Sequence, residues 1–189
     1  MMYFDGSLIK KGTGIGLVFV SPLRVRMRYA IRIHFPVSNN VAEYEALING
    51  LRITIELGIR WLDIRGDSQP VIDQVMKESN FHDAKMTTYY QEVHWLEDKF
   101  DGLELNHILR CLNEVADALA KAASDREPMP AGVFASDQHR PSVRYEGLEQ
   151  AGDGSSAPGS GADQLLAPSG PEVMELEEDP ATEPDPLVD

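Results

Sequence analysis

Hydrophobic and polar positions divide the first 126 residues into short extended segments and amphipathic helices. Val, Ile, Phe and Tyr dominate residues 2–8, about 14–20 and 25–34, and the turn-like sequences KKGTG and SPLR separate these segments. This pattern predicts three antiparallel strands. The residues SNN at 38–40 then precede a helix over about 40–57, which Gly58 ends.

The rest of this region alternates between strands and helices. WLDIRG predicts a short strand, and Ser68 with Pro70 begins a helix that runs to about residue 78. Another helix follows over about 84–99, LELNHIL predicts a fifth strand, and Asn113 caps a last helix that ends near 124. The predicted fold is therefore α/β, with a five-stranded mixed sheet of three antiparallel and then parallel strands flanked by helices.

The composition changes after residue 126. Residues 127–144 read as an extended linker, and residues 145–189 are rich in Gly, Ser, Ala, Pro, Asp and Glu with few aromatic residues. Such a composition buries too little apolar area to offset the entropy lost on ordering, so we predict a disordered acidic tail. The folded domain is expected to span residues 1–126.

The acidity of the chain belongs mainly to its C-terminal part. Residues 1–126 contain 15 basic and 17 acidic residues, whereas residues 127–189 contain 2 and 14. The near-neutral domain can therefore carry a local basic patch for a polyanion. Its first hairpins concentrate such charge, at Lys10, Lys11, Arg24, Arg26 and Arg28. We expect the tail to repel nucleic acid or to cover these hairpins.

The sequence favours a soluble intracellular protein, in either the cytoplasm or the nucleus. Cys111 is the single cysteine, which excludes a disulfide within the chain and fits a reducing compartment. A run of about 18 apolar residues and a signal peptide are both absent from the sequence. An apolar strand that begins at Met1 suggests that the natural domain once began further upstream.

Four acidic residues occupy positions that the apolar pattern places near the protein interior. Asp5 interrupts an apolar strand, Asp67 follows WLDIRG, and Asp117 lies at the margin of an apolar helical stripe. Helical periodicity turns Glu43 towards the protein and Glu45 towards water. Taken singly, each acid has an ordinary explanation as a turn, helix-terminal or exposed residue.

Together, these acids form a recognisable signature. YFDGS, SNNVAEYEAL, RGDSQPV and NEVADALA occur in the order and approximate spacing of the Asp-Glu-Asp-Asp signature of type 1 ribonuclease H. Over residues 2–124 the chain most resembles the ribonuclease H region of plant gypsy-type long-terminal-repeat retrotransposon polyproteins. The resemblance implies that Asp5, Glu43, Asp67 and Asp117 converge as catalytic and metal-binding residues.

Convergence of four carboxylates requires neutralisation. At roughly 5 Å and an effective dielectric near 20, each like-charged pair costs about 3 kcal/mol. Protons or cations must offset this repulsion, and hard oxygen ligands select Mg²⁺, or alternatively Mn²⁺, over Zn²⁺. The resemblance implies two such ions.

The implied activity is endonucleolytic hydrolysis of the RNA strand of an RNA·DNA hybrid. The implied partners are the hybrid and the reverse transcriptase and integrase regions of a parent polyprotein, without a membrane. His107 resembles an auxiliary histidine, although a structural role within a strand is the alternative. Family positions that contact nucleic acid match Gly6, Ser7, Ser38, Asn39, Asn40, Ser68, Gln69 and Arg110.

Three other functions compete with this one. A fragment with a clipped first strand could bind nucleic acid with little or no catalysis. A DEDD exonuclease needs a second acid two residues after the first, and that residue is Ser7. Integrase-like enzymes need a different acid pattern and spacing.

Overall fold

The computed structural model describes residues 1–77 and 83–144. The elements in chain order are β1 (Met2–Ile9), β2 (Gly12–Val20), β3 (Arg26–Ile33), α1 (Asn39–Glu56), β4 (Trp61–Gly66), α2 (Gln69–Met76), α3 (Ala84–Glu97), β5 (Gly102–His107), α4 (Glu114–Ser124) and β6 (Val133–Gln138). A short 3₁₀ helix at Arg110–Leu112 precedes α4. The predicted tail, residues 145–189, lies outside the described residues, as does the predicted last residue of the second helix. Nowhere in the described ranges is a helix both long and apolar enough to cross a bilayer.

The strands form one mixed sheet in the order β5-β4-β1-β2-β3-β6. β1 is antiparallel to β2 and parallel to β4, while β4 and β5 are parallel and β2 and β3 are antiparallel. The predicted α/β class and mixed sheet are confirmed.

The predicted number of strands is wrong by one. β6 pairs in parallel with β3, from Arg28 opposite Val133 to Ile33 opposite Gln138. It lies inside residues 127–144, which the sequence pattern describes as an extended linker. Four of its six residues are exposed, so the strand lacks the alternation of apolar and polar residues that marks a half-buried strand.

Helices cover both faces of the sheet. The larger hydrophobic cluster joins the strands to α1, α2 and α3 through residues such as Phe4, Leu17, Tyr44 and Tyr89. A separate, smaller cluster lies beneath α4. β1 is therefore an internal strand between two buried layers, which explains why Asp5 is removed from solvent.

Gly16 lets α4 approach the sheet closely. It lies opposite Asp5 in the β1–β2 ladder. A methyl group at Gly16 would overlap the carbonyl oxygen of Ala116. Because Asp117 follows Ala116 in α4, this contact brings the last predicted acid towards Asp5.

Candidate metal centre

Two neighbouring parallel strands deliver the first two acids. Phe4 of β1 lies opposite Gly66 of β4. Asp5 and Asp67 each follow one of these paired residues, so both side chains emerge at the same part of the sheet. Asp67 stands at the carboxyl end of β4, where α/β sheets commonly build ligand sites. Asp5 is only 4% exposed.

Helix α1 adds Glu43 to the pair. A methyl group at Gly6 would stand 2.5 Å from the carbonyl carbon of Ala42 and 2.6 Å from the Glu43 nitrogen, so the first turns of α1 rest directly on β1. The Gly6 N–H donates to Glu43 Oε2 at 3.2 Å. Carboxylate oxygens of Asp5, Glu43 and Asp67 lie within 4.8 Å of one another. The three acids thus form a compact oxygen cluster.

Burial and mutual repulsion raise the pKa of two members of this cluster. Burial, followed by the charge of Asp67 and a hydrogen bond with it, raises the pKa of Asp5 to about 8. Burial and the charges of Asp5 and Asp67 raise the pKa of Glu43 to about 9, while the Gly6 N–H and Arg110 oppose the shift. At neutral pH the cluster therefore retains protons unless cations replace them.

Asp117 lies beside this cluster but is not one of its three members. Its Oδ1 accepts from Arg110 Nη2 at 2.7 Å, and its Oδ2 accepts from Lys121 Nζ at 2.6 Å. Burial opposes ionisation of Asp117, but these two hydrogen bonds outweigh it and lower the pKa. Arg110 Nε also lies 3.9 Å from Asp67 Oδ2. The guanidinium therefore connects Asp117 to the three-acid cluster.

Asn113 has a role at this site that the sequence did not reveal. It occupies the predicted N-cap position of α4, but its side chain makes no capping hydrogen bond. Instead, Nδ2 donates to the Phe4 carbonyl oxygen and to Asp67 Oδ1, both at 2.9 Å, and the residue is 1% exposed. Its position one helical turn before Asp117 is the signal that could have suggested a site residue.

The predicted nucleic-acid contacts on β1 and α1 lie close in sequence to Asp5 and Glu43. Ser38, Asn39 and Asn40 are exposed at the start of α1, and Ser38 Oγ accepts from the Val41 N–H at 3.3 Å as an N-cap. Gly6 and Ser7 follow Asp5 on β1 and are half-buried. Ser38 therefore caps α1, and Gly6 and Ser7 continue strand β1 and pair with β2, where the resemblance implies a turn. The nucleic-acid roles of these residues stay predictions.

The other predicted contacts follow β4 and β5. Ser68 is half-buried at the N-cap position of α2 and makes no side-chain capping bond, while Gln69 is exposed. His107 is the last residue of β5, opposite Gly66, and is exposed. His107 therefore lies opposite the residue that precedes Asp67. Its auxiliary role stays a prediction.

The prediction that Glu45 faces water is wrong. Glu45 has no exposed surface, whereas Glu43 lies in the acid cluster as periodicity predicts. Periodicity alone assumes that a surface helix has one buried face. The face of α1 that carries Glu45 is covered by Tyr89 of α3 and by residues 138–142.

Comparisons with known proteins identify similar chains. A family model described as reverse transcriptase-like matches residues 4–123. Ribonuclease HI of Halobacterium salinarum is 36% identical over 88 residues, which are 47% of this chain and 44% of that protein, so the chain spans less than half of this curated relative.

Two solved structures have the same architecture. The crystal structure of ribonuclease H1 from Halobacterium salinarum NRC-1 is similar with a TM-score of 0.62 at 31% identity, covering 66% of this chain and 96% of that one. LC11 ribonuclease H1, isolated from compost and solved with an RNA/DNA hybrid, is similar in fold, with a TM-score of 0.59 at 24% identity over 66% of this chain and 96% of that one.

Proposed function

Because the chain belongs to the reverse transcriptase-like family and has the ribonuclease H fold, we propose that it is a metal-dependent endoribonuclease acting on RNA·DNA hybrids. The observation that carries this proposal is the cluster of Asp5, Glu43 and Asp67, whose oxygens lie within 4.8 Å of one another. The hydrolysed strand is the RNA. LC11 ribonuclease H1 has been solved with an RNA/DNA hybrid, and this duplex is the substrate to test here.

The three acids fit hard divalent cations. Their donor atoms are all carboxylate oxygens, which suit Mg²⁺ or Mn²⁺ better than Zn²⁺. When bound, two divalent ions supply an activated water and stabilise the departing 3′ oxygen. The chain itself fixes the acids: the Gly6 N–H orients Glu43, and Asn113 orients Asp67.

Asp117 is the proposed fourth metal-binding acid. Arg110 and Lys121 form ion pairs with Asp117 and neutralise its charge. Arg110 also lowers the pKa of Asp5 and Glu43 by its charge, although burial and the neighbouring acids outweigh this effect. It therefore supplies part of the positive charge that the acids require. Its side chain is 69% exposed, so it is also placed to contact a phosphate of the substrate.

The proposed substrate surface consists of the polar residues around the cluster. Selection of RNA requires groups that reach 2′-hydroxyls from the shallow minor groove. We assign these contacts to Gly6, Ser7, Ser38, Asn39, Asn40, Ser68 and Gln69, with His107 as an auxiliary residue near the cluster.

We further propose that the chain derives from a plant gypsy-type retrotransposon polyprotein. The sequence resemblance and the reverse transcriptase-like family support this origin. Reverse transcriptase and integrase regions of such a polyprotein are the proposed protein partners.

A nucleic-acid-binding domain with little catalysis is the second candidate. The observation that favours it is the engagement of Asp117 by two cationic side chains, which compete with metal ions for its oxygens. This candidate retains the hybrid as ligand and differs only in having little or no cleavage.

A cleavage assay separates the two candidates. An RNA·DNA hybrid labelled on the RNA strand is incubated with the full chain, with and without Mg²⁺, beside Asp67→Asn. Asp101→Asn is the matched control, because Asp101 lies just before β5 and pairs with Arg60 at 2.8 Å, outside the cluster. We expect Mg²⁺-dependent cleavage that Asp67→Asn abolishes and Asp101→Asn preserves. Binding without metal-dependent cleavage would support the second candidate, and metal-independent cleavage would contradict the proposal.

A further inference from the structure

The fully buried carboxylate of Glu45 connects α1 to residues 133–144, the segment that contains β6 and the residues after it. Glu45 Oε1 accepts from the Tyr89 hydroxyl at 2.6 Å and from the Ser142 N–H at 2.8 Å. Glu45 Oε2 accepts from Gln138 Nε2 at 2.9 Å and from the Ser142 hydroxyl. Four donors therefore surround a side chain with no exposed surface, which is the condition under which a buried carboxylate is tolerated.

The same segment contacts α1 at two further positions. Asn49 Nδ2 donates to Gln138 Oε1 at 3.0 Å, and Arg52 Nη2 donates to the Ser142 carbonyl oxygen at 2.8 Å. Val143 is 5% exposed and belongs to the larger hydrophobic cluster. Gln138 and Ser142 therefore contact three successive turns of α1, while β6 pairs with β3.

These contacts bear on the acid cluster through the geometry of α1. Glu43 and Glu45 are two residues apart, which places their side chains about 200° apart around the helix axis. Gly6 supports α1 on the Glu43 side, and the hydrogen bonds of Glu45 hold the other side. A rotation of about 10° at a side-chain radius of about 5–6 Å moves a carboxylate by about 1 Å. A displacement of this size is enough to cost roughly 100-fold in rate.

We propose that residues 133–144 set the rotation of α1 through Glu45 and thereby place Glu43 for metal binding. Glu45, Gln138 and Ser142 are positioning residues, because none of them belongs to the acid cluster. The inference rests on the proposed function in two separable parts, metal binding at the acid cluster and cleavage of the hybrid. A chain that shows no Mn²⁺ binding at all would overturn both. The inference also means that a chain shortened at residue 126 loses the residues that position Glu43.

The test uses the full chain with Glu45→Gln, Ser142→Ala, Ser142→Thr and the double variant Glu45→Gln with Ser142→Ala. Glu56→Gln is the matched control, because Glu56 is exposed at the end of the same helix. Mn²⁺ affinity is measured by electron paramagnetic resonance well below the melting temperature. Melting temperature, and kcat and KM on the hybrid, are measured on the same samples.

We expect Glu45→Gln to weaken Mn²⁺ binding by about 10-fold or more and to lower kcat more than it raises KM. Ser142→Ala should act in the same direction with a smaller effect, and Ser142→Thr should restore binding because it keeps the hydroxyl. The double variant should lose less than the sum of the two single losses, since both disturb one set of hydrogen bonds. Glu56→Gln should bind Mn²⁺ like the unmodified chain.

A lower melting temperature with unchanged Mn²⁺ affinity and kcat would overturn the inference and leave Glu45 a purely structural residue. Fully additive losses would also overturn it. If Glu45→Gln does not fold, Ser142→Ala and Ser142→Thr test the inference by the same measurements. Equal Mn²⁺ affinity in these two variants would then overturn it. If the unmodified chain binds Mn²⁺ but does not cut the hybrid, the proposed function fails while the Mn²⁺ measurements still test the inference.

Discussion

Replacing Asp5 with asparagine should stabilise the metal-free protein while abolishing cleavage. The carboxylate oxygens of Asp5, Glu43 and Asp67 lie within 4.8 Å of one another. At an effective dielectric near 20, this separation costs about 3.5 kcal/mol for each ionised pair. Asp5→Asn removes two such pairs and keeps the shape of the side chain. The cluster retains protons, so the gain is smaller than two full repulsions, and we expect about 1–3 kcal/mol at pH 9.

Calorimetric unfolding in EDTA at pH 5 and pH 9 measures this effect. A gain of 1 kcal/mol raises the melting temperature by about 4 °C in a domain of this size. At pH 5 the gain should be smaller than at pH 9. The folded Asp5 side chain is neutral at pH 5, and this pH is only about one unit above the ordinary pKa of an aspartate, so holding the proton costs the folded chain less than at higher pH. Mn²⁺ should stabilise the unmodified chain more than the variant. A lower melting temperature for Asp5→Asn than for the unmodified chain in EDTA at pH 9 would refute the reasoning.

Three further outcomes are expected. The folded-state pKa values of Asp5 and Glu43 are raised to about 8 and 9, so the folded chain holds protons that the unfolded chain has lost; stability in EDTA should therefore fall as pH rises from about 4 to about 9. Urea unfolding at intermediate pH values measures this, and a rise over that window would contradict it. Gly6→Ala places a methyl group 2.5 Å from the Ala42 carbonyl carbon, so it should displace α1, lower the melting temperature and weaken Mn²⁺ binding; calorimetry and titration that match the unmodified chain would disprove the contact. A chain ending at residue 144 lacks the acidic segment and should bind the hybrid more tightly at low salt, with the difference disappearing at high salt; equal affinity at low salt would discard the electrostatic role of residues 145–189.

Local patterns singled out the three clustered acids as candidates, and the resemblance to type 1 ribonuclease H predicted that they converge. Asp5 interrupts an apolar strand, Asp67 follows the strand WLDIRG, and periodicity distinguishes Glu43 from Glu45. Each of these signals depends on a few neighbouring residues in the sequence. The predicted order of strands and helices through residue 124 has the same basis, which is why the fold class could be predicted.

The features that the sequence did not reveal depend on residues far away along the chain. Glu45 is buried because Ser142, 97 residues further along the chain, contacts it. Asn113 reaches the Phe4 carbonyl oxygen across 109 residues and therefore serves the acid cluster in place of its own helix. β6 is mostly exposed and has no alternation of apolar and polar residues, so only its pairing with β3 identifies it as a strand. In each case the contacting residue is distant in the sequence and becomes a neighbour only in the folded structure.

Anomalous diffraction from crystals of the full chain grown with MnCl₂ tests the metal centre most directly. We predict a manganese peak in contact with the carboxylates of Asp5, Glu43 and Asp67, and its loss in crystals of Asp5→Asn. A manganese peak elsewhere in the protein, with none at these three acids, would contradict the account.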